Sequence, residues 1–335
     1  MLRAEWEKQK SVLVGFPHKK SDWKPMLKEA QECMIAFIKR IAEFESVWVC
    51  IDPRDKDAKK FVLSSCKKEI KNGTLQILDV RSNDVWARDF APLTICQNNQ
   101  NILLNFGFNG WGLKFAANYD NAINTTLSAM GVFENLHTQG LILEGGSIDS
   151  NGAGIALTTT TCLLEKNRNP HLNKQELESI LLRTLGLNKL LWVENGFLLG
   201  DDTDSHIDML ARFIDKHTIA YIRCEDKNDV HYKALCAMER ELQSFRDLED
   251  KPFKLIALPF PKPIYHKKER LPASYANFLF VNGGLLVPIY GDKKNDKKAL
   301  HILQDALPHH RVIGVPAKTL IKWHGSLHCT TMQIY

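Results

Sequence analysis

Short apolar runs of strand length alternate with amphipathic helical segments from one end of this 335-residue chain to the other, and that rhythm constrains the fold most. Ser-Val-Leu-Val-Gly-Phe at 11–16 is small or apolar at every position, which suits a strand covered on both faces. From Pro25 to Phe44 the period changes. Leu27, Ala30, Met34, Phe37, Ile38 and Ile41 recur at three- and four-residue spacing, so they share one face of a helix. Strands follow at 46–51 and 75–80, with a helix over 57–70 between them. Helices over 118–131, 173–185, 228–245 and 293–307 and strands at 141–144, 218–223, 254–258 and 311–315 continue the alternation. Two hairpins interrupt it. One lies in SIDSNGAGIALTTTTCLL, where Asn151-Gly152 suits a type I′ turn, and the other in NFLFVNGGLLVPIYG, turning at Asn282-Gly283.

A strictly alternating parallel sheet has no use for such hairpins. The Gly-x-Gly-x-x-Gly and Walker A sequences of nucleotide-binding sheets are missing as well. The pattern implies an α/β chain of strand pairs interleaved with helices. No Pro/Gly/Ser-rich linker divides it, so one continuous domain over 1–335 is expected. A repeat of strand-strand-helix-strand units would explain the rhythm, although no sequence repeat is visible.

Composition excludes several classes of function. With 44% hydrophobic and 25% charged residues the chain has the make-up of an ordinary globular protein rather than a disordered or fibrous one. No run approaches the roughly 18 apolar residues of a membrane span, and MLRAEWEKQK lacks the apolar stretch of a secretory signal. A cytoplasmic location without membrane contact is therefore expected. The net charge of +5 is spread over clusters such as CKKEIK, YHKKER and GDKKNDKK, each interrupted by acids, so no nucleic-acid partner is expected. Eight cysteines fall without Cys-x-x-Cys spacing, which suggests reduced, buried side chains. Nothing in the sequence fixes oligomeric state, and a homo-oligomer is left open.

Four stretches are dense in reactive side chains: DVWARDFAP, LILEGGSID, GDDTDSHIDMLARF and the closing WHGSLHCTTMQ. If SHIDML is a strand, its two-residue period puts His206 and Asp208 on one face. Asp89 precedes Pro92 and is expected where a strand opens into a loop. Glu144 ends an apolar run against two glycines, which would let a backbone or ligand approach closely. Each residue also admits a structural role: Asp89 as the partner of an arginine, Glu144 as a turn cap, His206 as a satisfied core histidine. His206, Asp208, His328 and Cys329 could bind a metal, but no His-Glu-x-x-His or paired-cysteine spacing supports one, and no metal or organic cofactor is expected.

The chain resembles the agmatine deiminase and bacterial peptidylarginine deiminase family of the guanidine-modifying, or pentein, superfamily. The resemblance runs in order through AEWE, GFPHKKSDW, WARDFAP, FNGWGLKF, LEGGSI, DDTDSHIDMLARF and the terminal His-Cys-x-Thr-x-Gln, nearly the whole chain. It implies a pentein α/β-propeller of five strand-strand-helix-strand units with pseudo-fivefold symmetry around a central active site. It also implies hydrolysis of a small guanidinium substrate, agmatine first, with peptidyl-arginine or free arginine as alternatives. By the same resemblance Cys329 is the nucleophile, His206 the general acid and base, and Asp89 and Asp208 the pair that grips the guanidinium. Glu144 would orient and charge the histidine, while Trp86, Trp111 and Asp202 would line the substrate pocket. His328 is left as a packing or backbone-orienting residue, since neighbours on an extended segment point opposite ways.

This chemistry suits the residue types. A guanidinium is planar and resonance-stabilised, so its carbon must be fixed between carboxylates before attack, and forked N–H donors match carboxylate oxygens. A thiolate is the strongest nucleophile among side chains. An amidinotransferase and a catalytically dead guanidinium or amine sensor remain as alternatives, whereas a papain-like protease lacks its Cys-Gly-Ser-Cys-Trp signature. The chain departs from the family at Ser205 and Met209, where glycine and asparagine are usual, at Leu113 for a glycine, and at Met332 for a glutamine. None of these removes a catalytic group, but all weaken the transfer of substrate identity.

Overall fold

A computed structural model describes residues 1–335. Its strands form five sheets with one shared pairing pattern and a two-stranded ribbon, Tyr265–His266 with Glu269–Arg270. In the shared pattern an antiparallel pair is followed by a helix and a strand that returns parallel to the middle one. Leu93–Gln97 and Gln100–Gly107 make such a pair, and the helix Ile123–Ala129 leads back to Leu136–Ile142. Ile148–Ser150 and Ile155–Thr159 continue through Lys174–Leu185 to Lys189–Val193. Ala211–Asp215 and Thr218–Arg223 continue through Tyr232–Ser244 to Lys254–Pro259. Leu279–Val281 and Gly284–Ile289 continue through Lys293–Ala306 to Arg311–Pro316.

The remaining sheet draws on both ends of the sequence. Thr331–Ile334 runs antiparallel to Ser11–Gly15, which pairs in parallel with Ser46–Ile51 across the helix Leu27–Ile41, and Leu75–Asp79 completes it. Ser11–Gly15 is buried at every position, as a strand covered on both faces should be. Leu27–Ile41 buries Ala30, Met34, Phe37, Ile38 and Ile41, the expected stripe, while Leu27 stays half-buried. The helix Lys174–Leu185 is fixed at its start by a reciprocal Asn173–Glu176 capping box and ended by Gly186 at φ +65°. Ninety-two buried apolar residues form one contiguous cluster. No helix is long and apolar enough to cross a membrane.

Several expectations are corrected. The helix expected over 57–70 breaks at Cys66 into Lys56–Ser65 and Lys67–Lys71, because Cys66 is buried with non-helical backbone. The helix expected over 118–131 is regular only over Ile123–Ala129, after a 3-10 turn at Asp120–Ala122. The strand expected at 141–144 lies earlier, at Leu136–Ile142. Asn151-Gly152 does not form a type I′ turn. The Asn151 side chain instead accepts from the backbone N–H groups of Ala153 and Ile155, closing a longer loop. Paired left-handed residues occur at Asn98 and Asn99, φ +50° and +60°, between the paired Gln97 and Gln100. Asn282-Gly283 turns as expected, with only Gly283 left-handed.

Candidate active site

Four segments carry the reactive groups to one place. Asp89 sits on the helical turn Ala87–Phe90, ahead of the strand Leu93–Gln97 and not at a strand's exit as expected. Glu144 follows the strand Leu136–Ile142 closely. His206 and Asp208 do not lie on a strand: Ile207–Met209 is a 3-10 turn, entered through Asp204 and Ser205 at φ +67° and +66°. The turn, not a pleat, aims both side chains the same way. Cys329 lies on a 3-10 turn, His328–Thr330, immediately before the last strand. The extended backbone that would have separated His328 from Cys329 is therefore absent, and both reach Asp208.

A cavity of about 330 Å³ is lined by Trp86, Asp89, Trp111, Asp202, His206, Asp208 and Cys329, all expected from the sequence. Its wall also holds Asp22, Asp84, Asp201, Trp323 and His324, which sequence reasoning missed. None of the lining residues is an arginine or lysine. Glu144 does not line the cavity. It is fully buried, and both its oxygens accept from Nε of Arg168 at 2.8 and 3.0 Å. Ligating atoms of Glu144, Cys162 and His206 lie within 4.8 Å of one another. A metal ion among them would sit against the buried Arg168 guanidinium, so this donor set already has its cation.

Asp89 is held at both oxygens: Trp111 Nε1 donates to Oδ2 at 2.9 Å and the Gly146 backbone to Oδ1 at 3.0 Å. Trp111 reaches it from a turn in which Gly110, Trp111, Gly112 and Leu113 all have positive φ, a conformation that costs non-glycine residues about 1–2 kcal/mol each. Gly146 has no room for a side chain, because a Cβ there would lie 2.6 Å from His206 Nδ1 and 2.8 Å from Asp89 Oδ1. The close approach expected at the two glycines is thus made by the site itself. Asp208 Oδ2 accepts from His328 Nδ1 at 2.7 Å and Asn277 Nδ2 at 3.2 Å, with Cys329 Sγ 3.7 Å away. Asn277 Nδ2 is also 3.2 Å from Cys329 Sγ. Asn277 carries no signal in SYANFLF, and Arg168 none in EKNRNP; only the fold brings them to the site.

The electrostatics follow from burial and like charge. Burial pushes the Asp89 carboxyl up to about 6, with the His206 charge opposing and Asp208 adding to the rise. Burial works against a charge on His206, but Asp89, Cys162 and Glu144 outweigh it and hold the imidazole well above its ordinary value. His206 Nδ1 lies 3.6 Å from Asp89 Oδ1. The Cys329 thiol is held well above the usual thiol range by burial, then by the charges of Asp208 and Asp89. Without a cation in the cavity the sulfur therefore keeps its proton.

Lys114 ties two walls of the cavity together, donating to the Asp202 carbonyl and to Asp204, each at 2.7 Å. Arg168 Nη1 meets the other oxygen of Asp204 at 2.8 Å. Two of the family departures, Ser205 and Leu113, occupy left-handed positions where glycine is favoured.

The chain is similar to known proteins over its whole length. The chain is 31% identical over 356 aligned residues to the agmatine deiminase of Pseudomonas aeruginosa (strain LESB58), covering 99% of this chain and 94% of that one. Its structure matches a cysteine-to-serine variant of a C. jejuni agmatine deiminase with substrate bound, at TM-score 0.92 and 42% identity, over 100% of this chain and 96% of that one. An agmatine deiminase of Enterococcus faecalis matches at TM-score 0.89 and 26% identity, over 99% and 95% of the two chains. A Microseira wollei amidinotransferase, at 11% identity and TM-score 0.51 over 99% and 96%, shares the fold alone. The α/β fold is thus of the pentein type found in agmatine deiminases. Residues 1–334 match the model of the Porphyromonas-type peptidyl-arginine deiminases, and the chain belongs to that family.

Proposed function

We propose that this protein hydrolyses agmatine to N-carbamoylputrescine and ammonia through a covalent intermediate on Cys329. One observation carries the choice of substrate: six aspartates, Asp22, Asp84, Asp89, Asp201, Asp202 and Asp208, face a cavity with no lysine or arginine in its wall. A dication gains from both ends in such a field, whereas free arginine would bring a carboxylate with no partner. Agmatine deiminases are among the relatives that share the whole chain length.

In this mechanism Asp89 and Asp208 hold the guanidinium with its central carbon toward Cys329 Sγ. The arriving charge neutralises the two carboxylates that keep the thiol protonated, so the substrate itself favours the thiolate, and the thiol proton is lost to solvent as the substrate binds. The thiolate attacks the carbon, and the His206 imidazolium passes a proton to the departing ammonia. The neutral imidazole then takes a proton from water, the hydroxide attacks the thiouronium carbon, and the C–S bond breaks to release the ureido product. Asp89 and Glu144 supply the negative surroundings that keep His206 charged at the outset. Trp86 and Trp111 form flat walls for the planar head group, and Asp202 faces the distal amine. No metal or organic cofactor takes part. The five shared strand patterns support a propeller with pseudo-fivefold symmetry, folded as one domain, and we place the protein in the cytoplasm.

The test is to incubate the protein with agmatine, arginine and an arginine-containing peptide, with and without an amine acceptor, and to measure ureido product. Ureido product from agmatine that needs Cys329 is expected. Product from the peptide or arginine alone would change the substrate, transfer to the amine would make the protein an amidinotransferase, and binding without product would leave a sensor.

A further inference from the structure

Both ring nitrogens of His328 end on carboxylates: Nδ1 lies 2.7 Å from Asp208 Oδ2 and Nε2 lies 2.7 Å from Glu5 Oε1. The ring is 1% exposed, so water cannot substitute for either partner. A carboxylate oxygen only accepts, so each nitrogen must carry a hydrogen, and an imidazole with two N–H groups is a cation. Protonation of Glu5 would be the alternative. Burial does oppose the charge of Glu5, but Arg212, His328 and Arg88 outweigh it and hold the carboxyl well below its usual range. Its other oxygen accepts from Arg212 Nη2 at 2.5 Å and Gln333 Nε2 at 2.9 Å, and Arg88 Nη1 lies 3.2 Å from Oε1.

On the opposite side of the ring, the oxygens of Asp208 are divided. Oδ2 carries every hydrogen bond with the protein, from His328, Asn277 and Cys329. Oδ1 is buried and has no partner, an acceptor left over beside the cavity. Such a group is costly unless a ligand supplies the donor.

We propose that His328 is a positioning residue for deimination: an imidazolium clamped between Glu5 and Asp208 that keeps Asp208 ionised beside Asp89 and leaves Oδ1 for the substrate guanidinium. This rests on the deimination reading above. The groups facing Asp208 are the cations His328, His206 and Arg212 and the acidic Asp89 and Cys329. Burial pushes the Asp208 carboxyl up, yet it lies below its ordinary value because the hydrogen bond and charge of His328 outweigh burial, with His206 and Arg212 helping. Remove the imidazolium charge and Asp208 accepts a proton at higher pH, so the guanidinium loses half its clamp on the acid side.

The test uses His328→Asn, whose amide can still donate toward Asp208 but carries no charge. In the full-length protein kcat/KM for agmatine is measured across pH. In the wild type Asp89, at about 6, sets the acid limb; without the His328 charge burial governs Asp208 and should carry it past Asp89, so the limb should move up by about one unit or more. The loss should exceed about tenfold near pH 6, lie mainly in KM, and shrink to a few fold near pH 9. An equal loss at every pH with the limb unmoved would mean a merely structural role and overturn the proposal. A measurement on the wild-type protein stands beside it: ¹⁵N-histidine NMR near pH 7.5 should show two buried rings protonated at both nitrogens, His206 and His328, the His328 ring being the one in contact with Glu5. It is identified by its loss in His328→Asn or, should that variant not fold, by its shift in Glu5→Gln. A neutral ring there overturns the proposal. Wild-type protein that makes no ureido product defeats the deimination reading on which this rests; wild-type turnover with an unmoved limb defeats this proposal alone.

Discussion

Replacing Asn277 by aspartate tests what favours the anion of Cys329. The Asn277 amide nitrogen lies 3.2 Å from Cys329 Sγ and 3.2 Å from Asp208 Oδ2, while its oxygen accepts from the backbone N–H of His328 at 3.0 Å. Asn277→Asp keeps the shape and the acceptor that orders the 328–330 turn, but replaces the donor beside the sulfur with an oxygen. A hydrogen bond to a charged partner contributes about 1.5–3 kcal/mol, which corresponds to roughly ten- to a hundredfold in any rate that follows the thiolate fraction. The true loss should sit at the upper end, since burial and the charges of Asp208 and Asp89 already hold the thiol high. The assay is alkylation of Cys329 by iodoacetamide against pH, with Cys329→Ala as background for the other cysteines, alongside kcat for agmatine. Both rates should fall together while circular dichroism stays unchanged. An alkylation profile that does not move, with kcat within about threefold of wild type, would refute the assignment of Asn277 as the thiolate's donor.

Stability should depend on pH in a direction unusual for buried acids that are well paired. Burial raises the carboxyls of Asp84 to about 7 and of Asp89 and Asp202 to about 6, so the folded protein binds protons there that the unfolded chain has released. Stability is then lost as pH rises from about 4, the unfolded aspartate value, through 6 to 7, and Tm should fall over that range and level off above it, a trend that saturating agmatine should flatten. A flat profile without ligand would count against the acidic cavity. Ser205→Gly should raise stability by about 1 kcal/mol, because Ser205 at φ +66° gives up its left-handed cost, and thermal unfolding reads it directly. Gly146→Ala should lower kcat by at least about a hundredfold with the fold retained, since the new methyl would lie 2.6 Å from His206 Nδ1; activity near wild type would show that the site can shift. Lys114→Ala should raise KM several-fold with little change in kcat, by freeing the wall that carries Asp202.

Much of the fold was legible because period and burial agree. The stripe from Ala30 to Ile41 and the apolar run at 11–15 can satisfy only one kind of element each. Errors concentrated where side-chain hydrogen bonds, not hydrophobic period, decide the backbone. Asn151 closes its loop with its own amide, and His206 and Asp208 meet through a 3-10 turn that mimics the spacing of a strand face. Seven of the cavity-lining groups, among them Asp89, His206, Asp208 and Cys329, could be named because their short motifs are dense in reactive residues. Asn277, Arg168 and Glu5 could not: their partners lie 52, 24 and 323 positions away, and no local pattern encodes such distances. The same limit hid His328, whose neighbours were set by a turn where an extended segment was expected.

The pairing of Ser11–Gly15 with Thr331–Ile334 has a consequence in time. A ribosome must deliver some 320 further residues before the first strand meets its antiparallel neighbour, and contacts of such separation form slowly. Because Cys329 stands two residues ahead of that late strand, the proposed nucleophile arrives only with the closing of the sheet. Nascent chains would therefore carry the acids and the imidazole long before they carry the sulfur, and competence would arrive in a single late step.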